Sequence, residues 1–296
     1  MKQLVIISGK GGTGKTILSA SFAVLARNKV MVDCDVDAAN LHLLLNPEIR
    51  ERHLFSAGHK ARLDQEKCTG CGECLEVCRF LAIEQDNEDR VVIDPIFCEG
   101  CGVCSHICPV EAINMEKNIS GDWYVSRTKY GPFVHARLGI GEENSGKLVT
   151  EVRKKAKEIG ESNHSDYVII DGPPGIGCPV IASLSGTDLA LVVTEPTISG
   201  IHDMERVIQM AQHFKTKVAC CINKFDLNLA FSDRIEEWCG ENSIPLVGKI
   251  PYDEVVTKSV VEGIPLPEYS DNSVSREMRN IWQKVSTLLT MEESNQ

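Results

Sequence analysis

The chain has 296 residues, a hydrophobic fraction of 43% and a formal net charge of −11. That hydrophobic fraction is enough for a buried core and argues against a wholly disordered chain. The negative charge disfavours binding to DNA or to anionic lipid, because both are polyanions. No segment approaches the ~20 apolar residues that span a bilayer. We therefore predict neither a nucleic-acid partner nor a membrane span.

The first apolar segment, residues 2–8 (KQLVIIS), leads directly into a glycine-rich loop. A secretory signal needs a longer apolar core and a cleavage site, so this segment is predicted to be the first β-strand of a cytoplasmic protein. The chain contains 13 cysteines. In a reducing compartment, regularly spaced cysteines favour metal ligation over disulfides.

Short apolar runs alternate with more polar segments of helical character, such as residues 15–27 and 145–160. The runs cover residues 2–8, 29–33, 167–170, 189–193 and 217–222. This alternation predicts an α/β fold, with a parallel sheet covered by helices on both faces. Apolar residues recur at helical spacing from Met278 to Leu289. They predict a C-terminal helix packed on the core rather than one that binds a membrane.

The alternation breaks between residues 46 and 120, where CTGCGECLEVC and CEGCGVCSHIC form an internal repeat. Residues 46–63 and 109–121 are predicted to be the connections into and out of this module. Residues 122–138 are predicted to form a hairpin that turns at Tyr130-Gly131-Pro132. We therefore predict one α/β domain formed by residues 1–45 and 120–296, interrupted by a module at residues 60–119.

The loop GKGGTGKT (residues 9–16) satisfies the phosphate-loop pattern G-x-x-x-x-G-K-[ST] between a strand and a helix. Its glycines allow successive N–H groups to point at phosphate oxygens, and the following helix adds its N-terminal dipole. Lys15 is predicted to reach the β- and γ-phosphates, and Thr16 to bind Mg²⁺. Asp171 ends an apolar run at the Walker B position, where it is predicted to bind Mg²⁺ through a water. The predicted nucleotide-binding residues of the loop are Gly9, Lys10, Gly11, Gly12, Thr13, Gly14, Lys15 and Thr16.

A lysine directly after the first glycine, with Asp33 and Asp35 after the second strand, resembles the deviant Walker A (MinD/ParA/Mrp) superfamily of P-loop ATPases. The resemblance implies that Lys10 crosses a homodimer interface to the partner's nucleotide. It also implies that Asp35 positions the attacking water, and that DCDVDAAN (33–40) and DGPPGIG (171–177) are switches. The catalytic residues implied are Lys10, Lys15, Asp35 and Asp171.

The same resemblance places the adenine base between two loops, INKFD (222–226) and IPYDE (250–254). The implied base-binding residues are Asn223, Pro251, Tyr252 and Asp253. The pattern NK-x-D also occurs in GTPases, where its aspartate reads guanine. Asp226 therefore leaves GTP open, although the superfamily mostly uses ATP.

The cysteine spacing in the repeat resembles that of two-cluster bacterial ferredoxins. That resemblance implies two [4Fe–4S] clusters. Each is bound by the first three cysteines of one block and the fourth cysteine of the other block. Set one is Cys68, Cys71, Cys74 and Cys108, and set two is Cys98, Cys101, Cys104 and Cys78. Paired zinc sites are the alternative. Arg79 follows Cys78 where such ferredoxins usually have proline, as at Pro109.

The remaining cysteines are less informative. Cys178 lies near the second switch and is predicted to be a small buried residue rather than a redox contact. Cys220 and Cys221 lie within an apolar run and are predicted to belong to the core.

The whole chain resembles MinD-superfamily ATPases that contain an inserted ferredoxin domain. The leading hypothesis is an ATP-hydrolysing protein that couples dimer switching to electron transfer through two [4Fe–4S] clusters, toward an unidentified redox partner. The alternative is an Mrp-type carrier that delivers clusters to an accepting protein. A second alternative is a MinD/ParA-like positioning ATPase in which the clusters are structural.

Overall fold

The structure is a computed structural model that describes residues 1–142 and 145–291. The strands are β1 (Lys2–Ser8), β2 (Lys29–Asp33), β3 (Glu48–Leu63), β4 (Ile83–Gln85), β5 (Val91–Ile93), β6 (Ile113–Thr128), β7 (Gly131–Leu138), β8 (Tyr167–Pro174), β9 (Leu189–Thr194), β10 (Lys217–Asn223) and β11 (Leu246–Ile250). The helices are α1 (Lys15–Leu25), α2 (Leu41–Leu45), α3 (Glu73–Val77), α4 (Val103–Ile107), α5 (Ser145–Ser162), α6 (Cys178–Leu184), α7 (Ile198–His213), α8 (Leu229–Glu241), α9 (Glu254–Val261), α10 (Leu266–Tyr269) and α11 (Ser273–Thr290).

Within the described residues, a nine-stranded sheet has the order β11-β10-β9-β1-β8-β2-β7-β6-β3. From β11 to β7, each neighbouring pair in this order is parallel. The predicted α/β fold with a parallel sheet is thus confirmed. Parallel strands bring their carboxyl ends to one edge of the sheet, and ligands bind there in such folds. The phosphate loop after β1 and the acidic segments after β2 and within β8 therefore share that edge.

The chain divides into two compact units. Unit 1 comprises Met1–His53, Trp123–Arg137 and Ser145–Gln296, and unit 2 comprises Leu54–Asp122 and Leu138–Asn144. Strands β3 and β6 contribute residues to both. Most of residues 46–63 and 109–121, which were predicted to be the connections into and out of the module, belong to these two strands, and the sequence did not predict that strand structure. Most residues of β3 are exposed, so its sequence is polar and lacks the apolar run that marks a buried strand.

The core of unit 1 packs helices against the sheet. Phe22 of α1 contacts Trp282 of α11, with ring centroids 5.0 Å apart. Met278, Ile281 and Val285 are buried on the same helix, which confirms the prediction that the C-terminal helix packs on the core. Among the residues that the structure describes, no helix is both long and apolar enough to cross a membrane.

Unit 2 contains the cysteine repeat. Helices α3 and α4 follow the first two cysteines of each block and contain the third, and β4 pairs with β5 in antiparallel register. Its small core is formed by side chains from both repeats: Ala61, Cys74, Ile83, Val91, Cys104 and Ile113. The cysteines are thus part of the hydrophobic centre of this unit.

Candidate functional site

The phosphate loop adopts a backbone that only glycine adopts easily at two positions. Gly12 and Gly14 have φ values of 79° and 91°, in the left-handed region that favours glycine. A Cβ atom on Gly14 would also overlap the side chain of Asn223. That asparagine instead donates from Nδ2 to the carbonyl oxygen of Thr13 at 2.8 Å. The end of β10 therefore stabilises the phosphate loop through this asparagine.

A cavity of about 540 Å³ opens in front of the loop. Its volume lies within the usual range for small-molecule sites. Loop residues line one side, and the segment after β2 lines another. The predicted site residues that the structure brings to this cavity are Gly11, Gly12, Gly14, Lys15, Thr16 and Asp35.

Asp171 lies fully buried behind the cavity. Its Oδ1 accepts a hydrogen bond from the Ser19 hydroxyl at 2.8 Å, while its Oδ2 is buried with no hydrogen-bond partner among the described residues. Burial raises the pKa of Asp171 to about 6, although the charge of Lys15 and the hydrogen bond from Ser19 oppose the rise. A buried oxygen without a partner, beside a lysine and a threonine, suits a cation or a water bound to one.

Two further carboxylates follow β2. Asp33 is fully buried and accepts hydrogen bonds from the backbone N–H groups of Asp35, at 3.0 Å, and Leu41, at 3.1 Å. It therefore shapes the loop between β2 and α2. Burial, and then the charge of Asp171, raise the pKa of Asp33. Asp35 lines the cavity. Burial raises its pKa, and the charge of the nearby Lys15 offsets only part of that rise.

Lys10 points away from the cavity that its own loop forms. Its Nζ lies 3.2 Å from Thr197 Oγ1 and 3.4 Å from Ser199 Oγ, at the start of α7. Glu195 Oε2 lies 3.8 Å from the same Nζ. Lys10 and Lys15 therefore occupy different environments although they belong to one loop.

The residues predicted to bind the base have other contacts here and do not line the described cavity. Asn223 contacts the phosphate loop, as above, and Tyr252 is 52% exposed. Asp253 caps α9 by accepting from the Val255 N–H at 2.9 Å. Asp226 Oδ1 accepts from the Tyr252 N–H at 2.7 Å, which joins the two loops implied to flank the base. Base binding by Asn223, Pro251, Tyr252 and Asp253 stays a prediction.

In unit 2, the backbone joins the start of each repeat to the end of the other. The N–H of Asp64 donates to the carbonyl of Ala112, and the N–H of Asp94 donates to that of Ala82, both at 2.8 Å. These bonds carry Cys108 toward the first block and Cys78 toward the second. Because the same bond occurs twice, the two repeats have matching backbone arrangements.

The sulfur atoms follow this crossed arrangement. One small cavity is lined by all four cysteines of set one: Cys68, Cys71, Cys74 and Cys108. Burial raises the pKa of Cys104, and the cysteines of set two that raise it further are Cys98, Cys101 and Cys78. Backbone N–H groups donate to two of the sulfurs, from Ala112 to Cys108 at 3.3 Å and from Ala61 to Cys98 at 3.4 Å.

Across residues 1–142 and 145–291, no group of three or more His, Cys, Asp or Glu side chains converges closely enough to form a ready metal site. The two iron–sulfur clusters and the ferredoxin-like identity of the inserted module therefore stay predictions. The donor set nevertheless fits such a group, because thiolates are soft ligands and N–H groups already point at sulfur.

The other cysteines divide into two classes. Cys178 is exposed, so its predicted burial is wrong: it is the first residue of α6, whose buried residues begin at Val180. Cys220 and Cys221 are fully buried on β10, as predicted.

Sequence reasoning missed three polar residues at the site. Ser19 lies one turn after Lys15 on α1, and that spacing could have predicted its contact with Asp171. Glu195 and Lys224 form an ion pair at 2.6 Å beside Lys10. They follow different strands and lie far apart in the sequence, so no local pattern predicts their pairing.

Residues 4–266 match the family model described as CobQ/CobB/MinD/ParA nucleotide binding domain. The chain is 33% identical to the uncharacterized protein MJ0578 of Methanocaldococcus jannaschii, over 97% of each protein. It is 24% identical to the septum site-determining protein MinD of Bacillus subtilis, over 95% of this chain and 88% of that protein. Its fold is similar to that of the septum site-determining protein MinD complexed with Mg-ADP from Pyrococcus horikoshii, with a TM-score of 0.59 and 19% identity over 99% of each chain.

The family match extends over most of the chain and includes the phosphate loop, the acidic segment after β2 and Asp171. The structural likeness extends to the parallel sheet that brings these segments to one edge. The chain belongs to the CobQ/CobB/MinD/ParA nucleotide-binding domain family.

Proposed function

We propose that the chain binds Mg·ATP in the cavity of about 540 Å³ and hydrolyses it as a nucleotide-dependent homodimer, as a MinD/ParA-like ATPase. One observation carries this proposal: the phosphate loop, Lys15 and Asp35 line a single cavity, with Asp171 buried beside it. Phosphate oxygens would accept hydrogen bonds from the loop's N–H groups, and the Lys15 ammonium would offset the charge of the β- and γ-phosphates.

The residues at the cavity also fit Mg²⁺. The Thr16 hydroxyl and the unpartnered Oδ2 of Asp171 are hard oxygen donors, the kind that this ion prefers. Thr16 would bind the metal directly and Asp171 through a water. Once bound, the ion would neutralise charge that develops on the phosphate oxygens.

Hydrolysis also needs a positioned water and a charge that appears only in the closed dimer. Asp35, on the loop that Asp33 shapes, is the residue proposed to orient the water. Lys10 would reach the nucleotide of the partner chain, which agrees with its position outside its own cavity. Because the extra cation would arrive only on dimerisation, hydrolysis would depend on protein concentration.

We propose adenine rather than guanine as the base, and the contact of Asp226 agrees with this choice. In guanine recognition the aspartate of NK-x-D must receive hydrogen bonds from the base. Here one of its oxygens already accepts from the Tyr252 N–H at 2.7 Å. Competition between ATP and GTP for the wild-type chain, measured by equilibrium dialysis, tests this preference.

The experiment for the main proposal compares the wild type with Asp35→Asn and Lys10→Ala in steady-state hydrolysis and equilibrium binding. At protein concentrations at which the chain stays monomeric, both variants should bind Mg·ATP with wild-type affinity, since neither residue is proposed to hold the phosphates of its own chain. Both should hydrolyse it at least about 100-fold more slowly at high protein concentration. Wild-type hydrolysis by both variants would refute the roles given to these side chains.

A second function is favoured by the cysteines of unit 2. We propose that sets one and two each hold a [4Fe–4S] cluster. The crossed backbone bonds, the single cavity shared by set one and the N–H groups directed at two sulfurs support this assignment. Paired zinc ions are the competing occupants. Metal analysis and optical spectra of anaerobically prepared protein distinguish them, since zinc sites are colourless.

The role of such clusters separates the three hypotheses for the whole chain. The relationship to MinD supports a MinD/ParA-like ATPase most directly, whereas electron transfer and cluster delivery rest on the cysteines alone. An anaerobic redox titration with and without ATP tests the coupling. A potential that shifts with nucleotide supports electron transfer, and clusters that resist reduction support a structural role. Transfer of iron and sulfide to an apo-protein supports delivery.

A further inference from the structure

Lys10 is held at the beginning of α7 by three side chains. Its Nζ lies 3.2 Å from Thr197 Oγ1, 3.4 Å from Ser199 Oγ and 3.8 Å from Glu195 Oε2. Thr197 is also the N-cap of that helix, because its Oγ1 accepts from the Gly200 N–H at 3.0 Å. The lysine of the phosphate loop thus occupies a helix N-terminus of its own chain.

A helix N-terminus is an unfavourable place for a cation, because the helix dipole is positive there. Lys10 therefore needs a compensating negative charge to stay. Glu195 supplies it from the residue after β9, and its side chain is only 15% exposed. Without that carboxylate, the contacts of the ammonium among the described residues would be the two neutral hydroxyl groups of Thr197 and Ser199, which oppose its repulsion from the helix less strongly.

Glu195 is shared between two lysines. Its Oε1 pairs with Lys224 Nζ at 2.6 Å, while its Oε2 faces Lys10. Lys224 directly follows Asn223, which holds the phosphate loop through the Thr13 carbonyl. Since one carboxylate faces both cations, each lysine weakens the hold of Glu195 on the other.

We propose that Glu195 is a positioning residue: its contact with Lys10, here called the latch, retains Lys10 on its own chain and so opposes closure of the dimer. This inference rests on the proposed function, in which Lys10 must reach the partner's nucleotide. To do so, Lys10 must leave Glu195, Thr197 and Ser199. Glu195 determines the electrostatic cost of moving Lys10 away, and Lys224 lowers that cost because it competes for the same carboxylate.

Two substitutions test the proposal in opposite directions. Glu195→Gln keeps the shape of the side chain and removes its charge, so Lys10 should leave more easily. Lys224→Met removes the competing cation, so Glu195 should hold Lys10 more tightly. Ion pairs between partly exposed side chains predict shifts of about threefold in the protein concentration that gives half-maximal hydrolysis. That concentration should fall for Glu195→Gln and rise for Lys224→Met.

Dimerisation is measured separately by sedimentation equilibrium with a non-hydrolysable ATP analogue and Mg²⁺. The dimer dissociation constant should shift in the same two directions. Combining Glu195→Gln with Lys10→Ala supplies the control, because without Lys10 the charge of Glu195 should no longer affect dimerisation. Thr197→Val, which removes a neutral contact with Lys10, should shift the constant in the direction of Glu195→Gln.

The outcomes distinguish a failure of the latch from a failure of the proposed ATPase function. If the wild type dimerises with nucleotide but Glu195→Gln dimerises equally or more weakly, the latch is refuted and the ATPase proposal stands. A shift that persists in the double variant with Lys10→Ala also refutes it. If the wild type neither dimerises nor hydrolyses ATP at any concentration, the proposed function fails and the latch fails with it.

Discussion

Asp33 and Asp171 lie opposite each other on adjacent parallel strands, and both are fully buried. The N–H of Cys34 donates to the carbonyl of Asp171 at 2.8 Å, one residue beyond this pair. The two segments proposed as switches therefore begin from one hydrogen-bonded position in the sheet. A change at either carboxylate is expected to reach the other segment through this contact.

Asp33 should matter for the fold of the loop rather than for the metal. Asp33→Ala leaves the N–H groups of Asp35 and Leu41 without their acceptor, which is expected to cost about 2–4 kcal/mol in the free energy of unfolding. Because burial raises the pKa of Asp33, a neutral side chain is tolerated there. Asp33→Asn should therefore cost less, and equal losses in urea unfolding would contradict the argument.

Stability should fall in mild acid because of His135. Burial, and then the charge of His42, lower the pKa of His135 from 6.5 to about 4. A histidine whose pKa is lower in the folded state stabilises the fold above its unfolded pKa. That stability is lost as the pH falls from about 6.5 toward 4, since the unfolded chain binds the proton more readily. The expected loss between pH 7 and pH 5 is about 2 kcal/mol.

Urea unfolding at these two pH values measures the loss, with His135→Gln as the comparison. Glutamine keeps a hydrogen-bonding group near Ser126, which lies 3.0 Å from His135 Nε2, but it does not titrate. The variant should lose less stability than the wild type on acidification. An identical pH dependence in both proteins would assign the effect to other groups.

The repeats of unit 2 offer a matched pair of glycines. Gly70 and Gly100 occupy equivalent positions with φ values of 70° and 65°. Nothing lies near a Cβ on Gly70, whereas one on Gly100 would overlap the carbonyl oxygen of His59. Gly70→Ala should cost about 1 kcal/mol from backbone strain alone. Gly100→Ala should cost at least about 2 kcal/mol more in thermal unfolding, and a reversed order would show that the two environments were misassigned.

The crossed cysteine sets predict a specific pattern of losses. Cys108→Ser should remove one cluster of the two, and adding Cys68→Ser should remove no more, since both belong to set one. Adding Cys98→Ser to Cys108→Ser should instead remove both clusters. Iron and acid-labile sulfide in anaerobically reconstituted protein measure the result. If Cys108→Ser with Cys98→Ser retained one cluster, the sets would follow the blocks without crossing.

Much of unit 1 could be predicted from sequence, because buried parallel strands are continuous apolar runs and the phosphate loop has a fixed spacing. The hairpin after the inserted segment and the helix that contains Met278 were also predictable from local patterns. Strand β3 was not, since an exposed strand has no apolar run to mark it. The exposed Cys178 was missed because the short helix α6 carries too few residues to show a periodicity.

The environment of Lys10 required the structure. Its contacts with Thr197 and Glu195 join residues almost two hundred positions apart, which no spacing rule relates. In contrast, the crossed pairing of the cysteine blocks followed from resemblance to a known repeat. The sequence therefore predicts candidate chemical groups in both units, whereas the contacts of Lys10 with Thr197 and Glu195 were visible only in the packed structure.

The proposed binding of Mg·ATP by the phosphate loop through Lys15 is tested most directly by calorimetric titration with Mg·ATP. The wild type should bind one nucleotide per chain. Lys15→Ala should bind at least about 100-fold more weakly, because a buried ammonium that bonds to phosphate is lost. Lys10→Ala, altered in the same loop, should bind as the wild type does at protein concentrations at which the chain stays monomeric, because Lys10 is proposed to contact the partner's nucleotide and not its own. Equal affinities for the wild type and Lys15→Ala would contradict the account.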